Sequence, residues 1–305
     1  MKTIFALILM FVLTNSHAQK KELRLNLEKG HTYNHKSKTN TTVSQDVNGK
    51  ITNIVMEISG STSFLVNSVT NNGYDMMVKI DSMGMSMQMP NGVLEFNSEK
   101  TDTTNILSML LSKMTNIPFE VKMTRSGKVT EVNNYDKVWE LAISQFPQIP
   151  QEQVEQIKNQ IMKAFGEKAL KGNIEMTSAI FPDKPVATGD SWTITTNLET
   201  VMSTKMITTY TYKEKTKEYI LINGVSKIDT KDKDAYVEIN GMSFRYDLTG
   251  TMNSAIKIDL QSGWILNSEN SQEITGDMYI NPNAQIPNGM KVPMSVISQT
   301  LIKNN

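Results

Sequence analysis

The chain has 305 residues, with 31 Lys and Arg against 31 Asp and Glu, three His and no Cys. A balanced charge that includes only three Arg (Arg24, Arg125, Arg245) offers no basic patch to neutralise phosphates, so nucleic acid is not an expected partner. Without Cys, disulfide stapling and thiol catalysis are excluded.

Residues 1–18 read as a secretory signal peptide. Lys2 supplies a positive start, Ile4 to Leu13 a short apolar run, and Ser16-His17-Ala18 small residues before a cleavage point at Gln19. That run is too short to span a bilayer, and no later segment approaches the apolar length of a transmembrane helix. No Cys follows for lipid attachment. The expected protein is exported, periplasmic or secreted, and not a lipoprotein.

Residues 19–135 read as a first β half. Asn48-Gly49 between Thr41-to-Val47 and Ile51-to-Ile58 is a strong two-residue hairpin signal. Asn71-Asn72-Gly73 closes the strand carrying Phe64, Val66 and Val69. Next comes Met83-Gly84-Met85-Ser86-Met87-Gln88-Met89, with methionine at every second position. Val93-Leu94-Glu95-Phe96 is its return strand across the turn Pro90-Asn91-Gly92. A two-residue turn puts Met87 and Met89 on one face with Leu94 and Phe96, whereas a three-residue loop puts Glu95 opposite Met87. Upstream, Met76, Val78 and Ile80 have the opposite parity, so the apolar face must switch near Asp81-Ser82, which predicts a bulge there. The apolar run Ile106 to Leu111 predicts a short helix, making residues 90–115 a hairpin-and-helix insert. Ser126-Gly127 then joins two more strands.

Residues 136–172 read as helical. Asp136 is placed to cap a helix through Val138, Trp139, Leu141, Ala142 and Ile143, ended by Pro147. Pro150 opens another with Val154, Ile157, Ile161, Met162 and Phe165 at 3.6-residue spacing. Residues 173–305 read as a second β half, with Ser262-Gly263 as a hairpin turn. Gly30-His31-Thr32-Tyr33 and Gly189-Asp190-Ser191-Trp192 open the two halves, and each half later carries a Ser-Gly hairpin, which suggests an internal duplication. The fold class is mainly β (α+β): two related curved antiparallel sheets or half-barrels with a helical insert between or against them.

Catalytic chemistry finds few residues to use. Gly189-Asp190-Ser191 resembles the start of an esterase motif, yet no His follows His35 to deprotonate the serine. His31 and His35, four residues apart on a strand, are about 13 Å apart and cannot chelate one ion. Asp229, Asp232 and Asp234 are interleaved with lysines and lack the glycine of a calcium loop. No catalytic residue, metal ligand or cofactor is assigned, and the protein is not expected to be an enzyme.

The methionines carry the functional expectation. Copper(I) prefers thioethers, so four on one strand face form a possible soft-metal site. The alternative is an apolar face that is packed shut, or left open for a flexible fit to apolar guests. The leading reading is an exported binding protein that holds an apolar small molecule, lipid or lipidated envelope partner. Its groove is lined by Met83, Met85, Met87, Met89, Leu94 and Phe96, with Ile106, Leu110 and Leu111 as a lid. The alternatives are an envelope interaction module with a closed core and, less favoured, a Cu(I)-binding protein. Oligomeric state is not readable.

Leu23 to Tyr33, Val93 to Ser98 with its following helix, Lys128 to Val138, and Phe181-Pro182-Asp183-Lys184-Pro185 leading into Gly189-Asp190-Ser191-Trp192 resemble a known family. Its members are secreted β-rich proteins of the Bacteroidota type, described only as a domain of unknown function. The resemblance implies an exported β-rich protein and transfers no active site. The curved-sheet picture is also similar to the half-barrels of periplasmic lipoprotein carriers.

Overall fold

A computed structural model describes residues 20–100, 106–146, 158, 166–199, 203–239, 241–284 and 286–304. The expected signal peptide, and the helix expected over 150–165 apart from Lys158, lie outside the described residues.

The first hairpin shows how local sequence sets the sheet. β1 (Thr32–Val47) and β2 (Lys50–Val69) pair with Val47 opposite Lys50, leaving Asn48 and Gly49 as a two-residue turn. Both turn residues have positive φ, 55° and 82°, the geometry that matches the strands' right-handed twist. Asp46 Oδ1 accepts a 2.7 Å hydrogen bond from the Gly49 amide.

β3 (Gly73–Met89) follows by meander, and its far edge is shared by β4 (Gly92–Asn97) and β5 (Phe119–Thr124). β6 (Val129–Asn133) ends this side of the sheet. The other side is a second meander: β7 (Ser191–Glu199), β8 (Ser203–Lys215), β9 (Tyr219–Thr230), β11 (Met242–Asp259), β12 (Ile265–Ile280) and β13 (Met290–Lys303). β10 (Val237–Ile239) pairs only the start of β11. Antiparallel pairing of β1 with β13 joins the two sides, so the halves are edge-to-edge parts of one open sheet.

The sheet must curl strongly. The path from β6 to β7 crosses ten strand spacings, about 48 Å if flat. Yet α3 (Glu167–Ser178), a rod about 10 Å across, packs on both of these edge strands. Glu175 Oε1 accepts from the Val129 amide of β6 at 2.9 Å, and Gly172 lies against Asn197 and Leu198 of β7. The helix runs on past residue 172 to Ser178, and the glycine at 172 lets α3 approach β7 closely.

α1 (Ile106–Met114) and α2 (Tyr135–Ile143) pack on each other over the β3–β5 side. α2 starts one residue before Asp136. Asn134 in the left-handed conformation occupies the N-cap position, and Asp136 sits in the first turn, where its carboxylate faces the helix's positive end.

An extended strap, residues 20–29, crosses the inner face with Leu23, Leu25 and Leu27 buried and the intervening side chains exposed. It ties the two Ser-Gly turns together: the Leu25 amide donates to Arg125 O at 2.8 Å and the Asn26 amide to Ser262 O at 2.7 Å. The main core gathers under this strap from both sides of the β1–β13 seam, with Tyr33, Phe64 and Trp264 in ring contact. A smaller cluster of Met206, Ile228, Leu248, Met252 and Ile274 lies further down the inner face.

Candidate functional site

The methionine strand is built by one extra residue. Ser61 pairs with Ser82 but Thr62 with Ile80, so Asp81 is a bulge. Before it, Tyr74, Met76 and Val78 point inward; after it, Met83, Met85 and Met87 do. The parity switch expected at Asp81-Ser82 is this bulge. Its carboxylate stays on the outer face, accepting from Ser63 Oγ at 2.8 Å, with Lys79 Nζ at 3.9 Å.

The return strand follows the two-residue turn: Met89 pairs with Gly92, Met87 with Leu94 and Met85 with Phe96. Phe96 is buried in the main core, and Met83 and Met85 pack against that core while remaining half-buried. Met87 and Leu94 are half-buried further out, and Met89 at the tip is 38% exposed. The structure therefore brings Met83, Met85, Met87, Leu94 and Phe96 onto one surface, with Met89 at its end. Leu110 and Leu111 are fully buried in the core shared with Phe96, so they hold α1 in place. The side chain of Ile106 lies outside the described residues.

Register adds what the sequence did not single out. Across the seam, one inner-face row runs Ser226, Met252, Gln272 and Ser298 over β9 to β13. It continues as Thr41, Met56, Met87 and Leu94 over β1 to β4. The next row runs Ser254, Asn270 and Thr300, then Thr39, Ile58, Met85 and Phe96. On the opposite flank Val296, Val43 and Ile54 follow one another. Met56 thus sits directly opposite Met87, and Ile58 opposite Met85. Ile58 points inward and is still 43% exposed.

This surface has two parts. Over β2 to β4 it is apolar: Ile54, Met56, Ile58, Met85, Met87 and Leu94. Along the seam it becomes a belt of uncharged polar groups. The Thr39 and Thr300 hydroxyls are 2.9 Å apart, as are those of Thr41 and Ser298, and Ser268 Oγ donates to Asn270 Oδ1 at 3.2 Å. None of the inward positions in these rows is Asp, Glu, Lys or Arg. The charges face out, as in the Lys38–Glu57 pair at 2.9 Å and the Lys291–Asp277 pair at 3.0 Å.

Two cavities are lined by other residues, beside the strap. One of about 20 Å³, beside His35, Phe64, Ile174 and Trp264, is room for a single water and no more. Burial there holds the His35 imidazole neutral, its pKa lowered from 6.5 to about 4. The other, about 270 Å³, lies outside the strap among Lys21, Glu22, Arg24, Asp259 and Gln261, a charged rim unsuited to an apolar guest.

Elsewhere the residues of possible chemistry have structural partners. Asp190 Oδ2 accepts the Ala187 amide at 2.9 Å, and Ser191 Oγ lies 2.8 Å from Thr211 Oγ1 on an exposed strand. Lys233 pairs with Asp247 and Arg245 with Asp234 around the acidic tip. Among the described residues no group of three or more His, Asp or Glu could hold a metal ion, and no helix is long and apolar enough to cross a membrane.

Residues 71–265, from the β2–β3 turn to the first residue of β12, match the model of a family of unknown function, DUF6263. The chain belongs to this family. The match includes the methionine hairpin, the helices and the second meander up to Ile265, while β1 and β2 precede it and the rest of β12, with β13, follows it. The family carries no assigned activity to the chain. No curated protein matches it.

Solved structures give distant likenesses. A lipovitellin structure concerned with lipid–protein interactions matches at 10% identity and a TM-score of 0.49, covering 92% of this chain and 25% of that one. This chain thus spans only a quarter of lipovitellin. An outer membrane channel from Pseudomonas putida F1 matches at 7% identity and a TM-score of 0.25, over 92% and 98% of the two chains. An outer membrane lipoprotein-sorting protein domain from Vibrio parahaemolyticus matches at 8% identity and a TM-score of 0.13, over 87% and 83%. None of these lends a ligand or an activity to this chain.

Proposed function

We propose that the protein is an exported, non-catalytic binding protein that holds an apolar molecule on the inner face of its sheet, over β2, β3 and β4. One observation carries the reading: the inward apolar patch around Met56, Ile58, Met85 and Met87 is left partly exposed, although it continues directly into a closed core. An inward Ile that is 43% exposed gains little from its position unless something covers it. Methionine suits such a surface, because its unbranched thioether side chain repacks around irregular guests at small cost. The charge-free rows around the patch spare an apolar guest from lying against a desolvated charge.

The test is binding of the uncharged fluorophore N-phenyl-1-naphthylamine by the mature chain and by Met85→Lys/Met87→Lys. The wild type binds saturably, and the variant loses at least about tenfold in affinity while keeping its circular dichroism spectrum. Lysine at half-buried positions near the open end can extend its ammonium to water, so folding survives. Unchanged binding by a folded variant, or no binding by the wild type, removes the reading.

A further inference from the structure

The patch and the belt share the same rows. Thr41 lies opposite Met56 and Thr39 opposite Ile58, so from these two residues the path toward the seam reaches a hydroxyl within one strand spacing, about 5 Å, while Ile54 on the flank continues into Val43. The belt continues beyond the seam through Ser298 and Thr300 to Asn270 and Gln272. Each hydroxyl pair satisfies one donor and leaves another donor and several lone pairs, offered to a guest chiefly by the half-buried Thr39, Ser298 and Thr300, with the buried Thr41 behind Ser298. The half-buried Gln272 amide has no hydrogen-bond partner among the described residues, and only Oδ1 of the Asn270 amide is engaged. A surface of this kind is apolar at one end and hydrogen-bonding at the other. It carries no charge to pair with an ion.

Resting on the groove reading above, we propose that the ligand is an uncharged amphiphile. A single alkyl or acyl chain lies over Ile54, Met56, Ile58 and Met87, and a hydroxyl- or amide-bearing head group, of the monoacylglycerol class, sits on Thr41, Ser298 and Gln272. A carboxylate or quaternary ammonium head at that place loses its hydration and finds no counter-charge among the inward residues of the belt, whereas a glycerol head exchanges water for the belt's hydroxyls. Selection is therefore by charge of the head group rather than by chain.

The experiment compares three ligands with the same dodecyl-length chain, each below its micellar concentration: monolauroylglycerol, laurate and dodecyltrimethylammonium. Binding is read by titration calorimetry on the mature chain. Monolauroylglycerol binds at least about tenfold more tightly than either charged ligand. In Thr41→Val/Ser298→Ala, which replaces both members of one hydroxyl pair with apolar groups of similar shape, the preference falls to within about threefold. Equal affinity for all three ligands overturns the head-group assignment and leaves the groove intact. Failure of all three to bind removes the groove reading itself. A preference for monolauroylglycerol that persists undiminished in the folded double variant places the head group off the belt and overturns the assignment.

Discussion

Tyr74→Phe tests how the strap is held. Tyr74 is 2% exposed, and its hydroxyl both donates to Leu25 O at 2.8 Å and accepts from the Leu27 amide at 3.1 Å. The substitution changes no packing volume, yet it leaves a buried N–H and a buried C=O without a partner. Each orphaned group costs about 1–3 kcal/mol before relaxation, so the expected loss is about 2–4 kcal/mol. Release of the strap is a separate matter. Burial of Leu23, Leu25 and Leu27 contributes about 1.5–3 kcal/mol each, more in sum than the lost hydrogen bonds. The strap therefore stays docked but loosened. Urea unfolding reads the global loss, and thermal unfolding shows it as a fall in Tm of about 3–7 °C for a chain of this size. Amide exchange at Leu27 reads the local one and accelerates more than exchange at Val121. A loss under about 0.5 kcal/mol with unchanged Leu27 protection would mean that leucine burial alone holds the strap.

Two glycines at nearly equal φ separate conformational strain from close approach. Gly49 (φ 82°) has open space where a Cβ would sit, so Gly49→Ala costs about 1 kcal/mol, whereas at Gly127 (φ 85°) a Cβ would lie 1.8 Å from Ser178 O. Gly127→Ala must push α3 away from the β5–β6 turn, and its urea midpoint falls by at least twice as much; equal midpoints would refute the close approach. The His35 imidazole, held neutral by burial with a pKa of about 4 against 6.5 when exposed, gives an acid-limb prediction. Its contribution is fully present above pH 6.5 and is lost as pH falls toward 4, because the unfolded chain binds a proton that the folded one refuses, by at most about 3 kcal/mol. In His35→Gln, stability measured across that window declines less steeply; parallel slopes would show that His35 titrates normally.

What could be read from the sequence followed local rules. Asn48-Gly49 set the first hairpin, and the pairing of Met89 with Gly92 follows from the two-residue turn. The bulge at Asp81 followed from a clash of parity between Val78 and Met83. These signals lie within a few residues of their consequences. The seam was not legible, because Thr41 and Ser298 are 257 residues apart and β1 is polar on both faces along the stretch that meets β13. In Lys36 to Asn40, Ser37 and Thr39 face in while Lys36, Lys38 and Asn40 face out; period-2 alternation of hydrophobicity has nothing to read there. Met56 was hidden for a related reason. Its own alternation with Ile54 and Ile58 was visible, but placing it opposite Met87 requires the β2–β3 register on the far side of a bulge.

That bulge links fold to site. Without the extra residue, β3 would keep the parity of Tyr74, Met76 and Val78, and Ser82, Gly84 and Ser86 would face inward. The methionines would then stand on the outer face, alongside Glu57 and its partner Lys38. The sequence bears that unpaired residue as an aspartate, and Ser61, Ser63 and Lys79 satisfy its carboxylate on the solvent side, so the irregularity leaves no buried charge. One strand can then serve two purposes. Its first half closes the core beneath the strap with Tyr74, Met76 and Val78. Its second half extends that apolar face beyond the core as Met83, Met85 and Met87. The proposed binding of an apolar molecule rests on this apolar surface, set by the bulge and left partly uncovered, because Ser or Thr at the same positions, as on β1, would serve a strand that only faces solvent.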